Sequence, residues 1–177
     1  MKIRTAFFVL AALTGTGVFP AAHAQTATGN LQVKITITKE CQVNVGPGGA
    51  ADAALDFFSH GVLNANVDAQ TTATGILVVC TNGTAYQIGL NAGQNPSSPG
   101  DINTRRMRNG TEFVSYQLYQ DLARTTVWGN TTGAGGNVLS ATADGSVQTH
   151  QVYGRVPPQT TPSAAVYSDT VTITVTY

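Results

Sequence analysis

The chain has 177 residues, of which only 10% are charged, and nine Lys/Arg balance nine Asp/Glu. A length of this order supports one domain around one core. Without a basic surplus, nucleic acid and anionic membrane are poor partners.

Residues 1–24 read as an export signal. Lys2 and Arg4 form a positive end, Ala6 to Leu13 an apolar middle, and Ala22-His23-Ala24 a small-x-small cleavage site. Cleavage between Ala24 and Gln25 leaves 153 residues with seven basic and nine acidic side chains. The apolar run is too short to span a bilayer, and no later stretch exceeds it, so no membrane insertion is expected.

The next segment, Leu31 to Ile37, alternates strictly. Leu31, Val33, Ile35 and Ile37 are apolar, with Gln32, Lys34 and Thr36 between them. That pattern is a strand with one dry face. It continues through Cys41, Val43 and Val45, interrupted by Lys39. A single strand from Leu31 to Val45 would run roughly 50 Å and overshoot a small domain. A break near Lys39-Glu40 therefore separates an arm, residues 25–38, from a domain, residues 39–177.

Turns and short strands follow. Gly46 to Gly49 is a turn, Leu55 to Leu63 a short strand bent near His60-Gly61, and Thr74 to Cys80 a buried strand. Asn82-Gly83 gives a hairpin-type turn before the alternating Tyr86, Ile88 and Leu90. Asn91 to Gly110 reads as a long polar loop whose basic cluster, Arg105-Arg106-Met107-Arg108, is solvated. Phe113 to Tyr119 places Val114, Tyr116 and Leu118 on one face. A turn leads into Thr125 to Trp128, a flexible loop spans Gly129 to Gly136, and Val138-Leu139 makes a short apolar contact. Val147 to Val156 is the penultimate strand. In the last, Val171, Ile173, Val175 and Tyr177 alternate with threonines and are expected to face the core. Six to eight short strands with turn chemistry between them describe an all-β sandwich. An alternating arm at one end and a bare strand at the other suggest subunits that lend strands to one another.

Both cysteines, Cys41 and Cys80, lie beyond the signal in strand-like runs. In an oxidising compartment they should pair, and closing a loop of about 40 residues contributes roughly 4 kcal/mol by the chain-entropy model. No His, Asp or Glu stands at metal spacing from either, so no metal or cofactor is implied. Catalytic groups are sparse. Ser59, His60 and Asp56 are neighbours in sequence, which rarely gives triad geometry. Asp52 and Asp56 read as solvated surface, and Gly48-Gly49 lacks the strand–helix context of a phosphate loop. Asn82, Asn109 and Asn130 head glycosylation-type triplets. Trp128, Tyr116 and Tyr119 are core or sheet-edge aromatics, with a sugar-stacking platform as the alternative.

Taken in order, several runs resemble the spore coat protein U domain family, which includes subunits of archaic chaperone–usher pili. They are the arm before Cys41, Tyr116 to Asp121 (YQLYQD), Arg124 to Gly129 (RTTVWG), Val152 to Pro157 (VYGRVP) and Tyr167 to Tyr177. The resemblance implies an incomplete immunoglobulin-like β-sandwich lacking its final strand. It further implies a periplasmic chaperone that fills the gap, and an outer-membrane usher that exchanges the chaperone for the arm of an identical or related pilin. Leu31, Val33, Ile35 and Ile37 would then be donor plugs, worth about 6–12 kcal/mol gross before ordering costs. Val171, Ile173, Val175 and Tyr177 would form the chaperone-pairing strand, with the Tyr177 carboxylate anchored by basic residues of the chaperone. The expected function is a non-enzymatic main-shaft pilin in adhesion and biofilm, exported through the periplasm to the cell surface. Two alternatives stand: a secreted spore-coat or matrix protein of the family that forms no pilus, and a carbohydrate-binding module.

Overall fold

A computed structural model describes residues 24–44, 53–71 and 75–177. Most of the export segment, Val45, the turn at Gly46 to Gly49, Asp52 and Thr74 lie outside them. By its internal contacts the chain divides into Met1–Thr36 and Ile37–Tyr177. In the first unit, residues 24–36 form no helix or strand, and Leu31, Val33 and Ile35 are 87%, 85% and 82% exposed.

The second unit is all-β. Its strands are β1 (Cys41–Val43), β2 (Val67–Gln70), β3 (Ile76–Cys80), β4 (Ala85–Leu90), β5 (Arg106–Asn109) and β6 (Glu112–Ser115). They continue with β7 (Gln117–Tyr119), β8 (Leu139–Thr142), β9 (Val147–His150), β10 (Tyr153–Val156) and β11 (Ile173–Thr176). All pairings are antiparallel, in the orders β1-β3-β9, β2-β10-β7, β11-β4-β8 and β5-β6. Among the described residues the only helical turn is the 3-10 turn Ile102–Thr104. Alternate side chains of β3 (Ile76, Val78, Cys80) and β4 (Tyr86, Ile88, Leu90) meet Val114, Tyr116, Leu118, Trp128, Val152 and Val156 in one core. Trp128 is wholly buried and donates its indole N–H to the Ile88 carbonyl at 2.8 Å. Its face is therefore not presented to a sugar.

Cys41 sits directly opposite Cys80 in the β1–β3 ladder, and the two are disulfide-bonded. The bond fastens a three-residue strand that backbone pairing alone would hold weakly.

Several expected elements differ from those observed. Asn82-Gly83 does not close a hairpin: β3 pairs with β1 and β9, whereas β4 pairs with β11 and β8. Both strands send alternate side chains into the core, so the turn must carry the chain from one sheet to another. Gly83, at φ 77°, makes that possible and donates its N–H to the Ala143 carbonyl. Val147 to Val156 is two strands rather than one. The chain changes partner at Val152, whose N–H and C=O are taken by Thr71. β10 then needs Gly154, since a Cβ there would press on Leu55 and Phe57 at 2.8–3.0 Å. Phe113 to Tyr119 likewise splits, β6 pairing with β5 and β7 with β10.

Leu55 to Leu63 is not a strand. Among the described residues it makes one bridge, Leu55 to Thr71, and Phe58 turns to φ 59° with its N–H on Asp56 Oδ1. His60 Nε2 meets the Phe57 carbonyl, so Asp56 and His60 serve the local turn and do not face each other. Asn91 to Gly110 is not all loop, because β5 lies inside it. Nor is Arg105 solvated: it is 0% exposed. Its guanidinium satisfies carbonyls that the end of β4 leaves unpaired.

His150 in β9 is half-buried beside the Tyr86 hydroxyl, 2.7 Å from its Nε2, and that hydroxyl donates to Gln148 Oε1 at 2.7 Å. Burial pushes the imidazole below its usual 6.5. The unfolded chain therefore binds a proton at a pH where the folded chain does not, and stability falls as pH drops below 6.5. Urea midpoints should decline from pH 7.5 to pH 5.5, and His150→Gln should flatten that part of the profile. An unchanged slope in the variant would assign the acid sensitivity elsewhere.

Candidate strand-acceptor groove

Among the described residues, β11 pairs with β4 on one side only, and β1 pairs with β3 on one side only. A groove of about 630 Å³, lined by apolar side chains together with polar groups that include Asn44, Thr71 and Asp169, lies between these edges. Val43 of β1, Leu55, Phe57, Ile76, Leu90, Met107, Tyr116, Leu118 and Val152 line it, together with the segment from Tyr167 to Ile173. The apolar lining follows from the inward side chains of β3, β4 and β7, among them Ile76, Leu90 and Leu118, which belong to the buried core.

The ladder register fixes what the free edge of β11 offers. Ile173 stands opposite Leu90, Thr174 opposite Gly89 and Val175 opposite Ile88. One step earlier, Asn91 N–H donates to the Thr172 carbonyl at 3.2 Å, and the Thr172 N–H is taken by Asn91 Oδ1 at 2.9 Å. Antiparallel bonding alternates along a strand. Thr172, Thr174 and Thr176 thus turn their main chain toward β4, while Val171, Ile173 and Val175 turn theirs toward the open side. Leu90 agrees, giving its N–H away from β11 to the Gly129 carbonyl. The same three residues pack their side chains against the core. Tyr177, expected to do likewise, is 53% exposed. The ladder ends at Thr176, so nothing directs its ring inward.

Two polar anchors flank the groove at the start of this segment. Arg105 donates from Nε (2.9 Å) and Nη2 (2.7 Å) to the Asn91 carbonyl, from Nη2 to the Leu90 carbonyl (2.8 Å) and from Nη1 to Gln117 Oε1 (2.7 Å). Burial lowers its pKa from 12.5 to about 10, which still leaves it charged at neutral pH. Asp169 accepts from the Tyr116 hydroxyl (2.7 Å), Gln94 N–H (2.9 Å) and Asn95 Nδ2 (2.9 Å). Burial, with that bond to Asp169 second, raises the Tyr116 hydroxyl far above its ordinary 10.0. Beside Asp169 the groove meets a polar cleft of about 360 Å³ lined by Gln94, Asn95, Arg108 and Thr170.

Among the described residues, no three His, Cys, Asp or Glu gather as a metal set, and no helix is long and apolar enough to cross a membrane. Of the residues singled out from sequence, Cys41 and Cys80 are brought together, and Val171 and Ile173 line the groove. Val175 lies two pairs further along β11. Ile37 is exposed, as are Ala24 and Gln25, which belong to no strand. Leu55, Phe57, Met107, Asn91 and Asp169 join the groove and its anchors without having been expected there. Only the apolar Leu55-Phe57 pair carries a signal in the sequence.

The chain belongs to the Spore Coat Protein U domain family, whose model matches residues 27–174. It is similar to Protein U of Myxococcus xanthus, with 35% identity over 182 residues, covering 99% of this chain and 98% of that protein. Its fold is similar to that in the crystal structure of the CsuC–CsuE chaperone–tip adhesion subunit pre-assembly complex, from archaic chaperone–usher Csu pili of Acinetobacter baumannii. The TM-score is 0.52 at 22% identity, covering 80% of this chain and 40% of that chain. At that identity the likeness is one of fold.

The groove wall predicts a contrast between neighbouring residues. Val175→Asp puts an unpaired carboxylate on the core side of β11 and should cost about 2–4 kcal/mol. Thr174→Ser, on the exposed side, should stay within about 0.5 kcal/mol. Urea unfolding of the two variants checks this, and equal midpoints would contradict the assigned faces.

Proposed function

We propose that the protein is a structural subunit, without enzymatic activity, of a surface fibre assembled by strand donation, and that it serves as the main-shaft pilin. The observation that carries this reading is that, among the described residues, the outer edge of β11 has no partner strand and borders a groove lined largely by apolar side chains. Such an edge is an aggregation liability unless a strand covers it. An incoming strand gains main-chain bonds along the edge and places alternate side chains in the groove. Residues 25–38 supply a matching strand, with Leu31, Val33, Ile35 and Ile37 on one face. The domain from residue 39 onward accepts the arm of the next subunit.

In this reading a periplasmic chaperone covers the groove first, and an outer-membrane usher replaces it with an arm as the fibre grows to the cell surface. Membership of the family and the likeness of fold to a chaperone–subunit complex support it. Adhesion and biofilm formation follow from a fibre of such subunits. A second reading, a secreted coat protein that builds no pilus, is supported by the family's spore-coat description together with the end-to-end match to Protein U.

Deleting residues 25–38 separates the two readings. For a pilin, the deleted protein still forms its chaperone complex at wild-type yield, yet builds no fibres visible by electron microscopy. Fibres of normal length from the deleted protein would remove the arm from assembly. A wild-type protein that is exported as a stable monomer without chaperone or usher genes would favour the coat reading.

A further inference from the structure

The start of the accepting edge is held by an unusual exchange of partners. Arg105 occupies the Asn91 main-chain carbonyl with two N–H groups, so that carbonyl is engaged away from β11. The Asn91 side chain replaces it: Oδ1 accepts the Thr172 N–H at 2.9 Å and the Gly93 N–H at 3.0 Å. Thr172 is thus bonded on both its N–H and its C=O by one residue. Three residues earlier, Asp169 is pinned by Tyr116, Gln94 and Asn95. Gly93, at φ 78°, lets the carboxylate in, because a Cβ there would overlap it. The stretch 169–172 is therefore fixed at both ends by side chains, while among the described residues no strand pairs with Val171 on its open side.

We propose that Asn91 and Arg105 are positioning residues for strand capture, holding Thr172 so that Val171 and Ile173 present N–H and C=O to the arriving strand. This rests on the strand-acceptor reading above. A preformed edge lowers the ordering cost of binding, since the incoming strand alone must become ordered. Asn91 acts as a register pin. With its Oδ1 removed, the Thr172 N–H loses its acceptor, and the segment before Ile173 is free to turn from β4.

The test uses the full exported chain and a synthetic peptide with the sequence of residues 25–38. Peptide binding is measured by titration, and amide hydrogen exchange is read with and without peptide. In the wild type, peptide should protect the amides of Val171, Ile173 and Val175. Asn91→Ala should weaken binding roughly tenfold, the worth of about one hydrogen bond. It should also lose the protection at Val171 and Ile173 while keeping it at Val175. Asn91→Asp keeps the acceptor oxygen and should bind within about threefold of wild type. Arg105→Lys, which cannot grip two carbonyls in the same plane, should behave like Asn91→Ala. If the wild type takes no peptide, the strand-acceptor reading falls, and the positioning role falls with it. If the wild type binds and Asn91→Ala binds equally well with the same protection pattern, the positioning role alone is overturned. A lower melting temperature with unchanged protection overturns it too, since that marks a purely structural residue.

Discussion

Among the described residues, the main chain of β11 has a partner strand on one side and a groove lined largely by apolar side chains on the other. Backbone N–H and C=O groups near a core need partners, and apolar side chains at a groove mouth need cover. One strand satisfies both demands. The register with β4 assigns both to the same residues: Val171, Ile173 and Val175 turn main chain to the open side and side chains to the core. An occupant opposite them must itself alternate, with apolar residues at every second position. The segment from Leu31 to Ile37 has that form.

A sandwich with an open groove has less cohesion than a closed one, and the surrounding residues compensate locally. The disulfide fastens β1, the short strand on one side of the groove, to β3. On the other side, buried Arg105 grips the end of β4, while Asn91 and the triply bonded Asp169 tie the segment before β11 to the loop after β4. An unpartnered buried guanidinium would be costly, but here its N–H groups meet carbonyl and amide oxygens in a fixed geometry. The result is a groove bordered by covalent attachment on one side and a polar network on the other.

Much of this is legible in the residues. A short continuous apolar run marks β3, period-two alternation marks β4 and β11, and an oxidising compartment with two strand cysteines leads to the Cys41–Cys80 pair. The turns are legible as turns, though not their partners: Asn82-Gly83 looks the same whether it closes a hairpin or links two sheets. The decision lies in long-range burial, with both flanking strands facing one core. Arg105 escapes a sequence reading for a related reason. A basic cluster among polar residues is normally solvated, and only the carbonyls left by β4, fourteen residues away in sequence, make burial favourable. Leu55 to Leu63 has strand composition, yet Phe58 at φ 59° and the turn held by Asp56 prevent a ladder. Local pattern reports which residues want to be inside, while partner choice is settled by residues far along the chain.

Covalent capture within assembled fibres tests strand donation most directly. Directly opposed residues on one face of an antiparallel pair have Cβ atoms about 4.5–5.5 Å apart, near the reach of a disulfide. Ile173→Cys, combined in turn with a cysteine substitution at each position from Leu31 to Ile37, reads the occupant of the groove. Donation of the arm between subunits predicts a ladder of covalent oligomers on non-reducing gels at one or more of Leu31, Val33, Ile35 and Ile37, and none at Gln32, Lys34 or Thr36. Fibres that form normally and link at none of the seven positions, or link at the even ones, would contradict it.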